Sequence, residues 1–248
     1  MKCLFDTKFD LVISLGENCG GALHMRRSGL RQASYPLDWL AGSTFEKRVQ
    51  LLLNRFSGFL EPENLRISGN NDFHAYVDDA ETGFSFVHDF EQGVPLEKAL
   101  PPVKEKYNRR IARLYRDVAE KQNVLFIWFG MFSQVSPQAL LNAQAELSRF
   151  FHKDVYLLAF QNNNKSQELS KAPRCERLSP YLLRYELDFH TERHLMGDKK
   201  TFSRILSQVA FRGKWKNLLR QAINRIVLGL IPFKSLRDAK RTRSLWGR

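Results

Sequence analysis

The chain has 248 residues, 43% of them hydrophobic and 26% charged, with a formal net charge of +13. That length and apolar fraction can bury a sizeable core, as one large domain or two small ones. Cys3, Cys19 and Cys175 are odd in number and far apart, which argues against a CxxC metal site or a disulfide framework and suits a reducing cytoplasm.

Charge is unevenly placed. Residues 212–248 hold eleven Lys or Arg against the one acid Asp238, a balance of +10 that leaves +3 for residues 1–211. The basicity thus belongs to a tail, no nucleic-acid motif accompanies it, and nucleic acid is the least expected partner. The opening Met1–Lys8 is too charged for a secretory h-region, and no run reaches the roughly 20 apolar residues of a membrane-spanning helix. A cytoplasmic protein is expected, at most peripheral at the inner membrane face.

In chain order, residues 10–16 read as a buried strand and Cys19 to Arg27 as a short helix. Tyr35-Pro36-Leu37-Asp38-Trp39-Leu40 opens a turn before a helix over 44–56 with Phe45, Val49, Leu52 and Leu53 on one face. Residues 57–83, rich in Gly, Asn, Asp and Pro, read as loop with short strands, and Phe84 to Phe90 alternates like a half-buried strand. A helix follows over 102–121, then the apolar strand Val124–Phe129 closed by Gly130. Ser136-Pro137 caps and starts a helix to Phe151. Val155–Phe160 and Leu182–Phe189 read as strands and 198–211 as a helix. Alternating strands and helices predict an α/β fold, a largely parallel sheet with helices on both faces.

Cys19 follows the first strand, after the Gly16-Glu17-Asn18 turn. A thiol at a helix start meets unpaired backbone N–H groups and the positive end of the helix dipole, both of which favour the thiolate. The same residue equally suits a small buried filler. Asn18 fits a left-handed turn or an oxyanion site with the N–H of Cys19 or Gly20. No phosphate-loop or dinucleotide glycine signature is present, and no cofactor or metal is expected.

Ser14-Leu15-Gly16-Glu17-Asn18-Cys19, with Tyr35-Pro36-Leu37-Asp38-Trp39, Phe86-Val87-His88-Asp89-Phe90 and the Arg-rich Lys106–Arg113 leading into Val124–Ile127, resembles a bacterial family described as putative papain-like cysteine peptidases. The likeness spans roughly residues 10–160, with Leu37 standing where the family usually has Phe. It implies a papain-like α+β fold as the alternative architecture. It also implies a peptide, amide or acyl substrate, Cys19 as nucleophile and His88 as base. Asp38 is the first candidate to orient the imidazole; Asp89, adjacent on a strand, should point away from His88. Asn18, Gly20 and Trp39 are the candidate substrate contacts. His88 and Asp38 also suit structural duties, as a packed strand histidine and a turn cap. His190 and His194 compete with His88 as partners of Cys19.

From Trp215 the apolar positions Leu218, Leu219, Ala222, Ile223, Ile226, Val227, Leu230 and Ile231 form one helical stripe flanked by Lys214, Lys216, Arg220 and Arg225. Pro232 ends it, and Lys234, Arg237, Lys240, Arg241 and Arg243 follow before Trp246. The division is a hydrolase-like domain over 1–211 and a basic amphipathic extension over 212–248. The extension suits an anionic membrane surface through residues 214–243, or packing on the body. The function expected is thiol-dependent acyl hydrolysis or transfer by a Cys-His pair. The alternative is a non-catalytic accessory protein at the membrane surface, serving envelope-glycan assembly.

Overall fold

The computed structural model describes residues 4–162, 173–187 and 199–229. Its strands are β1 (Leu11–Ser14), β2 (Ala41–Gly42), β3 (Leu65–Asn70), β4 (His74–Asp79), β5 (Phe84–Glu91), β6 (Val124–Gly130), β7 (Val155–Asn162), β8 (Arg174–Ser179) and β9 (Leu182–Leu187). Its helices are α1 (Cys19–Arg27), α2 (Phe45–Leu53), α3 (Leu96–Glu120), α4 (Pro137–Phe151), α5 (Lys199–Leu206) and α6 (Lys214–Gly229). A short 3-10 turn, Pro36–Trp39, lies between α1 and β2.

The main sheet runs β1-β6-β7-β9-β8, parallel except for the antiparallel β8–β9 pair. Its central strands are apolar on both sides, as a sheet covered by helices requires. Val124, Phe126 and Trp128 of β6 point into one core with α2, α3 and α4. Leu125, Ile127 and Phe129 point into a second core with α1 and α5. Burial of each such side chain stabilises the fold by about 1.5–3 kcal/mol. The α/β architecture read from the alternation is the one observed.

A second sheet, β2-β5-β4-β3, is wholly antiparallel and is inserted between α1 and α3. Its β3 and β4 fill the stretch read as loop with short strands, β5 is the strand expected over Phe84 to Phe90, and the sheet supplies the segregated antiparallel element that a papain-like α+β fold would contribute. Several boundaries moved, and α5 ends at Leu206, short of the expected 211. The long helix begins at Leu96 and passes through Pro101 and Pro102, because burial of Leu100 and Val103 holds that first part against the core. The α2 helix stops at Leu53, where Arg55 and Phe56 turn left-handed and Phe56 N–H caps Leu51 O at 2.8 Å.

The α6 helix docks on the end of α1. Asn217 Nδ2 donates to Gly29 O at 3.0 Å, Gln221 Nε2 to Arg26 O at 2.7 Å and Arg220 to Gln32 O at 3.1 Å, while Leu218 packs over Gly29. Among the described residues no helix is long and apolar enough to cross a membrane.

Candidate active site

In a parallel sheet, sites form beyond the carboxyl ends of strands, where adjacent strands send their chains to opposite faces. That condition is met between β1 and β6. After β1 the chain enters α1, whose Met25 packs in the core of one face; after β6 it enters α4, whose Leu140 and Leu147 pack in the core of the other. Cys19 is the first residue of α1 and so stands at the rim of this crevice.

The turn before it is built by specific residues. Gly16 adopts φ of 62°, and a Cβ there would stand 2.8 Å from Leu37 O. Glu17 is buried, and its carboxylate accepts the backbone N–H groups of Met131 and Phe132 and the hydroxyl of Ser133. Asn18 is extended, not left-handed as one reading had it, and its Oδ1 accepts Gly20 N–H at 2.7 Å as the helix cap. Gly20 N–H is therefore engaged by Asn18 rather than open as an oxyanion donor. The other end of Asn18, Nδ2, rests on Met131 Sδ at 3.3 Å.

Cys19 is half-buried. Burial pushes its thiol above the ordinary value, and its own backbone N–H pulls in the opposite direction with less effect. The helix-start thiolate expected from the sequence is thus not the resting form; desolvation outweighs the terminus.

The chain just after the Tyr35–Trp39 segment is held against this turn by Arg48, a residue that no sequence motif singles out. Its guanidinium donates to Leu15 O at 2.9 Å, Leu40 O at 3.2 Å and Gly42 O. It lies over the Phe84 ring at 4.6 Å. Burial lowers its pKa to about 9, opposed by Glu17, so it remains a cation at neutral pH. Asp38 is also buried: its Oδ2 accepts Arg31 Nε at 3.0 Å and Tyr35 N–H at 3.1 Å. Its Oδ1 is buried with no hydrogen-bond partner. The Trp39 ring is covered by the Arg31 guanidinium at 5.2 Å.

His88 lies on β5, half-buried, its ring edge-on to His74 at 6.0 Å. Alternation fails locally, since Ala75 pairs with Phe90 and Val77 with Phe86, giving β5 two extra residues. Asp89 turns to α3, bonding Lys106 Nζ and Tyr107 Oη at 2.9 Å. Burial lowers the His88 pKa, Asp89 opposes that and His74 adds to it.

The structure brings together the elements that carry the expected residues. The 3-10 turn with Asp38 and Trp39 packs on α1 and on β5, linking the elements of Cys19 and His88. Burial and its own backbone act on the Cys19 thiol, and burial, Asp89 and His74 act on the His88 imidazole. His190 and His194 lie outside the described residues. Among those described, no group of three or more His, Cys, Asp or Glu is placed to hold a metal ion.

The chain is 28% identical over 134 residues to "Uncharacterized protein R408" of Acanthamoeba polyphaga mimivirus, covering 47% of this chain and 60% of that protein. It thus spans less than two thirds of the curated relative it matches. No solved structure matches it. The sequence profile of one family matches residues 10–148, more than half of the chain and the segment from β1 into α4. The chain belongs to the family described as "Putative papain-like cysteine peptidase (DUF1796)".

Proposed function

We propose that the protein is a thiol-dependent acyl enzyme, a cysteine peptidase or acyl hydrolase or transferase, with Cys19 as its nucleophile. The observation that carries this reading is the position of Cys19: the first residue of α1, at the carboxyl-end crevice between β1 and β6. A thiol whose proton is held tightly by burial needs an acceptor to become nucleophilic. His88 is that acceptor in this reading, its imidazole neutral near pH 7 because burial lowers its pKa. Asp38 orients the ring through the Oδ1 atom that has no other partner.

The chemistry follows the family's type. The Cys19 proton passes to the imidazole as sulfur bonds the acyl carbon, giving a tetrahedral oxyanion. Asn18 Nδ2 is suited to receive that oxyanion, because its present acceptor is a thioether, a weak one. Collapse expels the amine or alkoxide, protonated by the imidazolium, and leaves a thioester on Cys19. Water or a second nucleophile then takes the acyl group.

Incubation with p-nitrophenyl acetate, followed by intact mass and peptide mapping, tests it. An acetyl adduct on Cys19 is expected, absent in Cys19→Ala and slowed about 100-fold or more in His88→Ala. Acetylation at Cys175 with none at Cys19 would contradict the assignment.

A further inference from the structure

The α6 helix has two sides with different fates. One edge, Asn217, Leu218, Arg220 and Gln221, is engaged with the body at the end of α1. The other carries Trp215, Leu219, Ile223, Ile226 and Val227, all exposed, with Trp215 82% and Ile226 64% accessible. Their spacing of four, four, three and one places them on a single stripe about three turns long. A contiguous apolar face of this kind, on a helix already anchored by its opposite edge, is an interaction surface rather than a core face lacking its neighbour.

Charge decides what covers it. Residues 212–248 have eleven Lys or Arg and one acid, whereas the body is near neutral. A second copy of the chain would set two such segments against each other and repel. An anionic lipid surface supplies the opposite charge and, below its headgroups, the apolar layer the stripe requires. Trp215, at the start of the stripe, has the amphipathic ring that favours that boundary. We infer that α6 lies in the surface of an anionic bilayer, its exposed stripe inserted and the body seated above through the Asn217–Gly29 edge. One helix then connects surface and site, since the carbonyls at the end of α1 hold α6 and its first residue is Cys19. The inference does not depend on the chemistry of Cys19.

The test is co-sedimentation of the full chain with vesicles of phosphatidylglycerol in phosphatidylcholine, against phosphatidylcholine alone, with tryptophan emission read in parallel. Binding to the anionic vesicles is expected, with a blue shift lost in Trp215→Phe. Raising salt from about 0.1 M to about 1 M should weaken it, as the screening length falls from about 10 Å to about 3 Å. The double variant Ile223→Glu/Ile226→Glu, on exposed positions and with an unchanged thermal midpoint, should bind at least about tenfold more weakly. Equal binding to neutral vesicles, undiminished binding by the folded double variant, or a lipid-independent dimer that buries Trp215 would each overturn the inference.

Discussion

Phe132 donates its backbone N–H to the Glu17 carboxylate at 2.7 Å, so one side chain ties the turn before Cys19 to the turn after β6. The same carboxylate takes Met131 N–H and the Ser133 hydroxyl. Glu17→Ala leaves these donors without an acceptor, and a loss of about 3 kcal/mol in urea denaturation is expected. Glu17→Gln keeps an accepting oxygen and should lose about 1 kcal/mol. Equal, small effects from both would mean that the tie contributes little.

Gly21 marks where α1 lies closest to the sheet. A Cβ there would stand 2.5 Å from Phe129 Cδ2 and 2.8 Å from Ser14 Oγ, both in packed surroundings. Gly21→Ala should therefore cost about 1–3 kcal/mol although alanine is the better helix former. Thermal melting checks the sign, and a stabilised Gly21→Ala would show that the contact is loose.

Arg48 joins the two loops at the crevice through the carbonyls of Leu15, Leu40 and Gly42. Arg48→Met keeps much of the volume but leaves those acceptors unpaired, with an expected loss of about 3 kcal/mol or more. Arg48→Lys should recover only part, because an ammonium cannot reproduce the planar fork. Full recovery by lysine in chemical denaturation would indicate that charge alone matters.

His88 gives a pH signature of its own. Its folded pKa lies below the ordinary 6.5 because of burial, so the unfolded chain binds the proton more readily. Its contribution is complete above pH 6.5 and is lost as pH falls from there through the lower folded value. Denaturation midpoints at about pH 7.5 and about pH 5.5 should show a drop that His88→Gln reduces. The same drop in both proteins would place the acid sensitivity elsewhere.

Strands β6 and β7 were legible in the sequence because strands covered on both faces are continuous apolar runs, and Cys19 was placed at the start of α1 by the Gly turn that follows β1; the cap by Asn18 was not read. Strand β8 was not, since its residues are exposed or half-exposed and pairing with β9 alone defines it. Glu17 and Arg48 were missed for a related reason. Buried charges satisfied by remote backbone groups look in sequence like solvated ones. At His88 and Asp89 the inserted residues of β5 decide the facing, and no local pattern announces them.

The most direct test of Cys19 as nucleophile is its rate of alkylation by iodoacetamide near pH 7, read by peptide mapping against the exposed Cys175. An assisted thiol should outpace Cys175 by about tenfold or more despite its burial, and lose that lead in His88→Ala. The variant's residual labelling should then rise only as pH passes the ordinary thiol value of 9.0. Slower labelling of Cys19 than of Cys175, unchanged by His88→Ala, would mean that the sulfur is packing and the chemistry lies elsewhere.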